Sequence, residues 1–258
     1  MKDDLFKNNI GIIGAGHIGQ ALALSLLEKK YPRENIQLSY NGSIFTFSDL
    51  YDNNLDELIH NNSDIVKSCS IIILSVPPQN FRQIGEFGLD EDVLVISFMA
   101  GISIDTIKRQ TGSNNVVRSI PTGPGTIRNY NAIAGVYPEN KKANTIFKLL
   151  EIDYYVLDNE NQMKYMVLAG CLPAVYSVVD AQLDENKEAI GKIAEEFPDF
   201  IEISSKAEKL VPKSNKEEFV KEVSTPGGVT EAIINSLSEG KSLYDSLIKG
   251  LERNEELS

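Results

Sequence analysis

A chain of 258 residues, 42% hydrophobic and 24% charged, carries enough apolar material for one large or two ordinary soluble domains. Its formal charge of −12 repels phosphates and argues against nucleic acid, and no apolar run nears the roughly 20 residues that would cross a membrane. The two cysteines, Cys69 and Cys171, sit in apolar company without metal-ligand spacing, so they read as buried thiols in a reducing cytoplasm and no metal is expected.

Met1-Lys2-Asp3-Asp4 carries acids and runs on toward a strand, so no signal peptide is expected and the location is read as cytoplasmic. Asn9 to Ile13 is a short apolar run, followed by Gly14-Ala15-Gly16-His17-Ile18-Gly19 and a helical pattern through Leu22, Leu26 and Leu27. Strand, G-x-G-x-x-G and helix in that order predict a dinucleotide site at Gly14, Ala15, Gly16, His17, Ile18 and Gly19. The first glycine makes the turn, the second admits pyrophosphate, and the third lets helix and strand pack closely. His17 has only His60 as a second histidine, so no ligand set forms and no catalytic role is assigned to it.

The second strand is expected over Ile36 to Tyr40. An NAD-selective site would place an acid at its end, but the chain reads Asn41-Gly42-Ser43 with no acid until Asp49. That leans toward NADP, with NAD possible, and makes Asn41 and Ser43 uncharged cofactor donors. Three further strands end in Pro/Gly loops. Ile71 to Val76 runs into Pro77-Pro78, Val93 to Ser97 into Met99-Ala100-Gly101, and Val116 to Ile120 into Pro121-Thr122-Gly123-Pro124-Gly125. One cofactor-facing rim accounts for all three, with Ser75, Val76, Pro77, Ala100 and Gly101 on it. Asn131 to Tyr137 and Tyr154 to Leu157 complete the strands, with a helix through Ile146, Leu149 and Leu150 between them. The alternation predicts an α/β, doubly wound sheet over 1–157.

From Asp158 the pattern turns helical. Met163 to Val179 is long and apolar, with breaks expected at Gly170 and Pro173; shorter helices follow over 186–194, 199–210 and 216–223, then one opening at Pro226 and one after Lys241. Residues 158–258 are therefore read as an all-helical domain that buries apolar faces against a second copy, at least a homodimer. Within it, Val223 to Ala232 reads as a helix entrance. Ser224 and Thr225 are candidate caps, Pro226 suits a first turn, and Gly227 and Gly228 expose bare amides where a carboxylate or phosphate could settle.

Taken together, these stretches resemble the pyrroline-5-carboxylate reductase family from Ile10 to about Leu251. Ser224 to Leu237, a hydroxyl pair then Pro-Gly-Gly-x-Thr and an apolar helix, is similar to that family's signature. Gly14-Ala15-Gly16-x-Ile18-Gly19 matches its cofactor loop, and Asn62 matches its adenosine-side asparagine. Val76-Pro77-Pro78-Gln79 resembles Val-Lys-Pro-Gln, and Ala100-Gly101-Ile102-Ser103 resembles Ala-Gly-Val/Ile-Ser. Arg118 to Pro124 aligns with Arg-x-Met-Pro-Asn-Thr-Pro, and Leu168 to Ala174 with Leu-Ser-Gly-Ser-Gly-Pro-Ala.

The resemblance implies an N-terminal Rossmann-type domain, a helical dimerisation and substrate-binding domain, and reduction of the cyclic imine 1-pyrroline-5-carboxylate to L-proline with NAD(P)H. It places the substrate carboxylate at Thr225, Gly227 and Gly228, with the Thr230 hydroxyl, the one catalytic candidate, at the imine nitrogen. Departures stand at Pro77 for lysine, Thr122-Gly123 for Asn-Thr, and Ala169-Gly170-Cys171-Leu172 for Ser-Gly-Ser-Gly. The change at Ala169 to Leu172 should make the pocket narrower or drier. The departures leave room for a related imine or keto-acid oxidoreductase with another small carboxylate substrate, or for a dinucleotide-binding paralogue without activity.

Overall fold

The computed structural model describes residues 2–42 and 44–257. The chain divides into two compact units, Met1–Glu160 and Asn161–Ser258.

In the first unit seven strands form one sheet: β1 Ile10–Ile13, β2 Ile36–Ser39, β3 Ile71–Leu74, β4 Leu94–Ser97, β5 Val116–Pro121, β6 Ile133–Tyr137 and β7 Asp153–Val156. Their order is β2-β1-β3-β4-β5-β6-β7. The pairs from β2 to β5 are parallel, β6 is antiparallel to β5, and β7 is again parallel to β6. Parallel neighbours need long crossovers. Between β5 and β6 the chain has only the short helix Pro124–Arg128, so β6 returns antiparallel. The helix Lys141–Leu149 then restores a parallel step to β7.

All four residues of β1, β3 and β4 are buried, as strands covered on both faces must be. Alternation divides them between two cores. Ile71, Ile73, Leu94 and Ile96 face Leu22 and Leu26 of the helix His17–Glu28 and Phe147 of the helix Lys141–Leu149. Ile72, Leu74 and Val95 face Ile65, Phe81 and Ile107 on the opposite side. This is the doubly wound arrangement that the alternation of strand and helix predicts. The helices Asn62–Ser68 and Ile104–Thr111, left unplaced in the sequence reading, cover the second face. Register places Ile13 beside both Ser39 and Leu74, Leu74 beside Ser97, and Ser97 beside Arg118. The carboxyl ends of β1, β2, β3 and β4 are therefore flush, while β5 runs on past Arg118 to Pro121.

In the second unit the helix Met163–Val178 lies at the centre, packed by Asp184–Ala194, Phe200–Glu208, Lys216–Val223, Val229–Ser238 and Leu243–Glu256. Its buried residues point all round, from Met163 and Tyr165 to Leu172, Val175 and Tyr176, as in a core helix. The expected breaks at Gly170 and Pro173 do not occur. Pro173 sits inside a continuous helix, where a proline typically costs about 3 kcal/mol; burial on every side holds the helix together. A Cβ on Gly250 would meet Ile233 at 2.6 Å and Leu168 at 3.1 Å, so this glycine sets how closely the last two helices and the central one cross. The helix expected to open at Pro226 opens at Val229.

Gly11 works the same way in the sheet: a Cβ there would lie 2.2 Å from Ile65 Cγ2. Gly11→Val should lower stability by about 1–3 kcal/mol, the usual range for overpacking a core. Thermal denaturation will read this as a lower melting temperature; an unchanged one would mean the helix Asn62–Ser68 is not seated on β1.

Candidate functional site

The chain leaves β1 and turns at once at Gly14, whose φ of +103° is a left-handed conformation that side chains avoid. A Cβ at Gly14 would also fall 2.6 Å from Val76 Cγ1 and 2.8 Å from backbone atoms of Ser75 and Val76. Ser75 Oγ donates to Gly14 O at 2.9 Å, tying the ends of β1 and β3 together. At Gly19 a Cβ would sit 2.3 Å from Gly14 O, so the third glycine is required by helix–strand packing. Gly16 is the exception. It caps the helix His17–Glu28, nothing lies within 4 Å of its would-be Cβ, and the first helical turn holds no acid. An open helix N-terminus without a competing charge is a place for phosphate.

A cavity of about 640 Å³ opens beside this turn, within the usual range for ligand pockets. Gly14, Ala15, Gly16, Asn41, Asn62, Ser75, Val76 and Pro77 line it, so the structure brings together most of the residues proposed for the cofactor. His17 is exposed at the helix start, while Ile18 and Gly19 turn into the packing behind it. Ala100 and Gly101 follow β4 and do not line this cavity. Ser43 lies outside the described residues.

The sequence reading missed Ser39, Tyr40, Thr46 and His60, which also line the cavity. His60 arrives because its amide donates to Leu38 O at 2.8 Å, and Thr46 because its Oγ1 pairs with Tyr40 OH at 2.6 Å. Such long-range closures leave no periodic trace; the position of Ser39 at a strand end was the one available signal. Among the described residues, none lining the cavity is Asp, Glu, Lys or Arg. Asn62 Oδ1 is buried there without a hydrogen-bond partner.

In the second unit the stretch before the helix Val229–Ser238 is a tight turn. Gly228 N donates to Thr225 O at 2.8 Å, with Pro226 and Gly227 between them and Gly227 at φ +70°. Proline then a left-handed glycine is the pattern of a type II turn. The cap is therefore Gly228 and not Ser224 or Thr225, and no side chain accepts from the helix at the cap. Pro226 shapes the turn and lies ahead of the first helical residue.

The Gly227 amide is also engaged, donating to Glu231 Oε2 at 2.7 Å. Glu231 is the third residue of the helix, and from there a glutamate reaches back to the preceding amides as in a capping box. The spacing Gly228-x-x-Glu231 was the legible signal for it. On the other side, Arg253 Nε donates to Gly227 O at 2.8 Å. Among the described residues, no acceptor takes the amides of Val229 or Thr230, which belong to the first turn of the helix.

Thr230 Oγ1 donates to Cys171 Sγ at 3.2 Å, and Cys171 Sγ donates to Val167 O at 3.3 Å. Burial pushes the Cys171 thiol up to about 11, with the Thr230 hydrogen bond opposing the rise. A second cavity in this unit, about 830 Å³, is lined by residues between Val178 and Lys192 and between Ile234 and Tyr244 and contains none of the proposed site residues. Among the described residues no group of acids, cysteines and histidines could hold a metal ion.

Residues 9–101 match a family model described as NADP oxidoreductase, coenzyme F420-dependent. Among curated proteins, pyrroline-5-carboxylate reductase 2 of Bacillus subtilis is 25% identical, with 90% of this chain and 87% of the relative aligned. Among solved structures, a pyrroline-5-carboxylate reductase from Coxiella burnetii superposes with a TM-score of 0.57 at 18% identity, covering 97% of this chain and 98% of its own. A glycerol-3-phosphate dehydrogenase from the same organism superposes equally well, TM-score 0.58 at 14% identity over 96% of this chain and 87% of its own. Structural likeness at that level carries the fold alone.

A thiol whose acid strength falls on folding weakens the folded state in alkali. Stability is whole below the unfolded thiol's ordinary range and is lost as pH rises toward about 11. Cys171→Ser should lose less stability than the parent chain between about pH 8.5 and 11, starting from the ordinary cysteine value. Denaturant titrations at several pH values read this; parallel curves would place the thiol in contact with water.

Proposed function

We propose that this chain, which belongs to the pyrroline-5-carboxylate reductase family as a divergent member, reduces the ring imine of 1-pyrroline-5-carboxylate to L-proline with NAD(P)H. The observation that carries this reading is the start of the helix Val229–Ser238. Two unengaged amides suited to a small carboxylate stand there beside a hydroxyl, Thr230, that is fixed by its own hydrogen bond.

A dinucleotide fits the residues present in the first unit. Gly16 faces open space, and the orphaned Asn62 Oδ1 is an acceptor awaiting an adenosine donor. The bound dihydronicotinamide supplies the hydride. Gly14 to Gly19 hold the pyrophosphate, and Asn41 with Ser39 serves the ribose; Ser75, Val76 and Pro77 wall the cavity, and Ala100 and Gly101 border the same strand edge. Among the described residues lining the cavity, the lack of an acid leaves a 2′-phosphate unopposed and the lack of Lys or Arg leaves it unpaired. We read the cofactor as NADP, with NAD accepted.

The carboxylate rests on the Val229 and Thr230 amides, one step past the Gly227 and Gly228 amides already used by Glu231 and Thr225. Thr225 and Gly227 shape the turn, and Arg253, paired with Glu256, braces it through the Gly227 carbonyl. Thr230 meets the ring nitrogen. A protonated imine is already electrophilic, so placement supplies most of the acceleration and no strong acid or base is required. We also read the chain as a homodimer in the cytoplasm. Val178, Leu183, Ile201 and Val223 are large apolar residues of the helical unit left 40–57% exposed, which supports self-association.

The purified protein should consume NADPH, and NADH more slowly, when given pyrroline-5-carboxylate, and Thr230→Ala should lower kcat/KM by at least about tenfold. Reduced cofactor that stays unconsumed in both reactions would remove this function. Sedimentation equilibrium should give at least twice the mass of the 28.5 kDa chain; a monomer at micromolar concentration would remove the dimer.

A further inference from the structure

Cys171 is one of two cysteines, stands on the central helix of the second unit, and is buried. Two hydrogen bonds meet at its sulfur with opposite sense. The thiol hydrogen goes to Val167 O, at 3.3 Å along its own helix, and the sulfur receives the Thr230 hydroxyl hydrogen at 3.2 Å from the neighbouring helix. A hydroxyl has one hydrogen and two lone pairs. With its hydrogen committed to sulfur, the Thr230 oxygen has only lone pairs to offer a ligand. The direction follows from the carbonyl, which is a far better acceptor than a hydroxyl for the thiol hydrogen and takes no other side chain.

We infer that Cys171 is a positioning residue: it holds Thr230 as an acceptor, so that the site takes a nitrogen that carries a hydrogen, and discriminates against a carbonyl oxygen. The inference rests on the reductase reading above and narrows its substrate class to carboxylates bearing a protonated C=N group. The N–H of the cationic imine donates to Thr230 Oγ1. A reduced nicotinamide held by the first unit's residues would supply hydride for the new C–H bond and be oxidised, while the C=N π pair would become the nitrogen lone pair. The nitrogen keeps its hydrogen throughout, and no proton crosses Thr230 or Cys171. A keto acid would set its oxygen lone pairs against those of Thr230, leaving buried polar atoms unpaired, which sites built on hydrogen bonds reject strongly. Burial keeps the thiol protonated across the neutral range, so the arrangement does not change near physiological pH.

The test is a double-mutant cycle on kcat/KM for pyrroline-5-carboxylate, with Cys171→Ala, Thr230→Ala and the pair, and Cys171→Ser as the conservative variant. Cys171→Ala should lose about tenfold, the size of one misdirected hydrogen bond, while Cys171→Ser, which can both donate and accept, should stay within about threefold of the parent. In the Thr230→Ala background, Cys171→Ala should cost nothing further. Cys171→Ala should also raise keto-acid turnover relative to imine turnover, because the freed hydroxyl can then donate. Losses that multiply, or a serine variant as poor as the alanine one, would overturn the inference and leave the reductase reading standing.

An infrared readout is independent of turnover. In a Cys69→Ala background the remaining S–H stretch belongs to Cys171. Thr230→Val should leave it in the hydrogen-bonded range, since Val167 O still holds the hydrogen. A move to the free-thiol position would show that the thiol donates to Thr230, and would overturn the inference. A parent protein that turns over neither cofactor but keeps the bonded S–H band in Thr230→Val would sink the reductase reading and leave the hydrogen-bond direction intact.

Discussion

The site in the first unit depends on one steric constraint, the contact between Gly14 and the backbone at Ser75 and Val76. β1 and β3 end at the same level, Ile13 beside Leu74, and the chain must reverse direction there within a residue. Any Cβ would collide with the neighbouring strand's exit, and Ser75 Oγ then locks the turn through Gly14 O. Gly19 must pack against that same carbonyl. Between these two forced positions lies Gly16, where a Cβ would meet nothing within 4 Å. The open space at Gly16 thus stands between two crowded positions.

Charge follows the same economy. Among the described residues lining the cavity beside the turn none is Asp, Glu, Lys or Arg, so what it offers is hydrogen-bonding groups and the amides of a helix end. The start of the helix Val229–Ser238 is different, since a carboxylate of the protein's own, Glu231, sits on the Gly227 amide with Arg253 on the carbonyl of the same peptide residue. That pairing rigidifies the turn and moves the amides available to a ligand one step along the chain. A left-handed glycine, a proline before it and a glutamate in the first helical turn all serve that placement.

The second unit shows how packing overrides local preference. Pro173 and Gly170 argue for a broken helix, yet the helix Met163–Val178 is continuous because helices on its several sides bury it. The long apolar run was legible; its continuity was not, since that depends on neighbours tens of residues away. Continuity matters chemically. It places Cys171 and Val167 one turn apart on one face, where the thiol can reach the carbonyl and meet Thr230.

What the sequence determined alone was whatever is short-ranged and periodic. The apolar runs Ile71 to Val76 and Val93 to Ser97 read as strands covered on both faces, and Gly14, Gly16 and Gly19 could be read as three different tasks in one loop. The signature from Ser224 to Leu237 pointed to an amide-lined helix start and to the family. The tertiary structure alone decided which amides stay free: Pro226-Gly227 and Gly228-x-x-Glu231 permit the turn and the back-bond, but the packed chain is what puts Thr225 O on the Gly228 amide and Glu231 Oε2 on the Gly227 amide. It decided too that Ser39, Tyr40, Thr46 and His60 meet at one cavity and that Thr230 spends its hydrogen on sulfur. Hydrogen-bond direction and cavity lining are set by distances between segments far apart in the chain, and these exist only once the chain has packed.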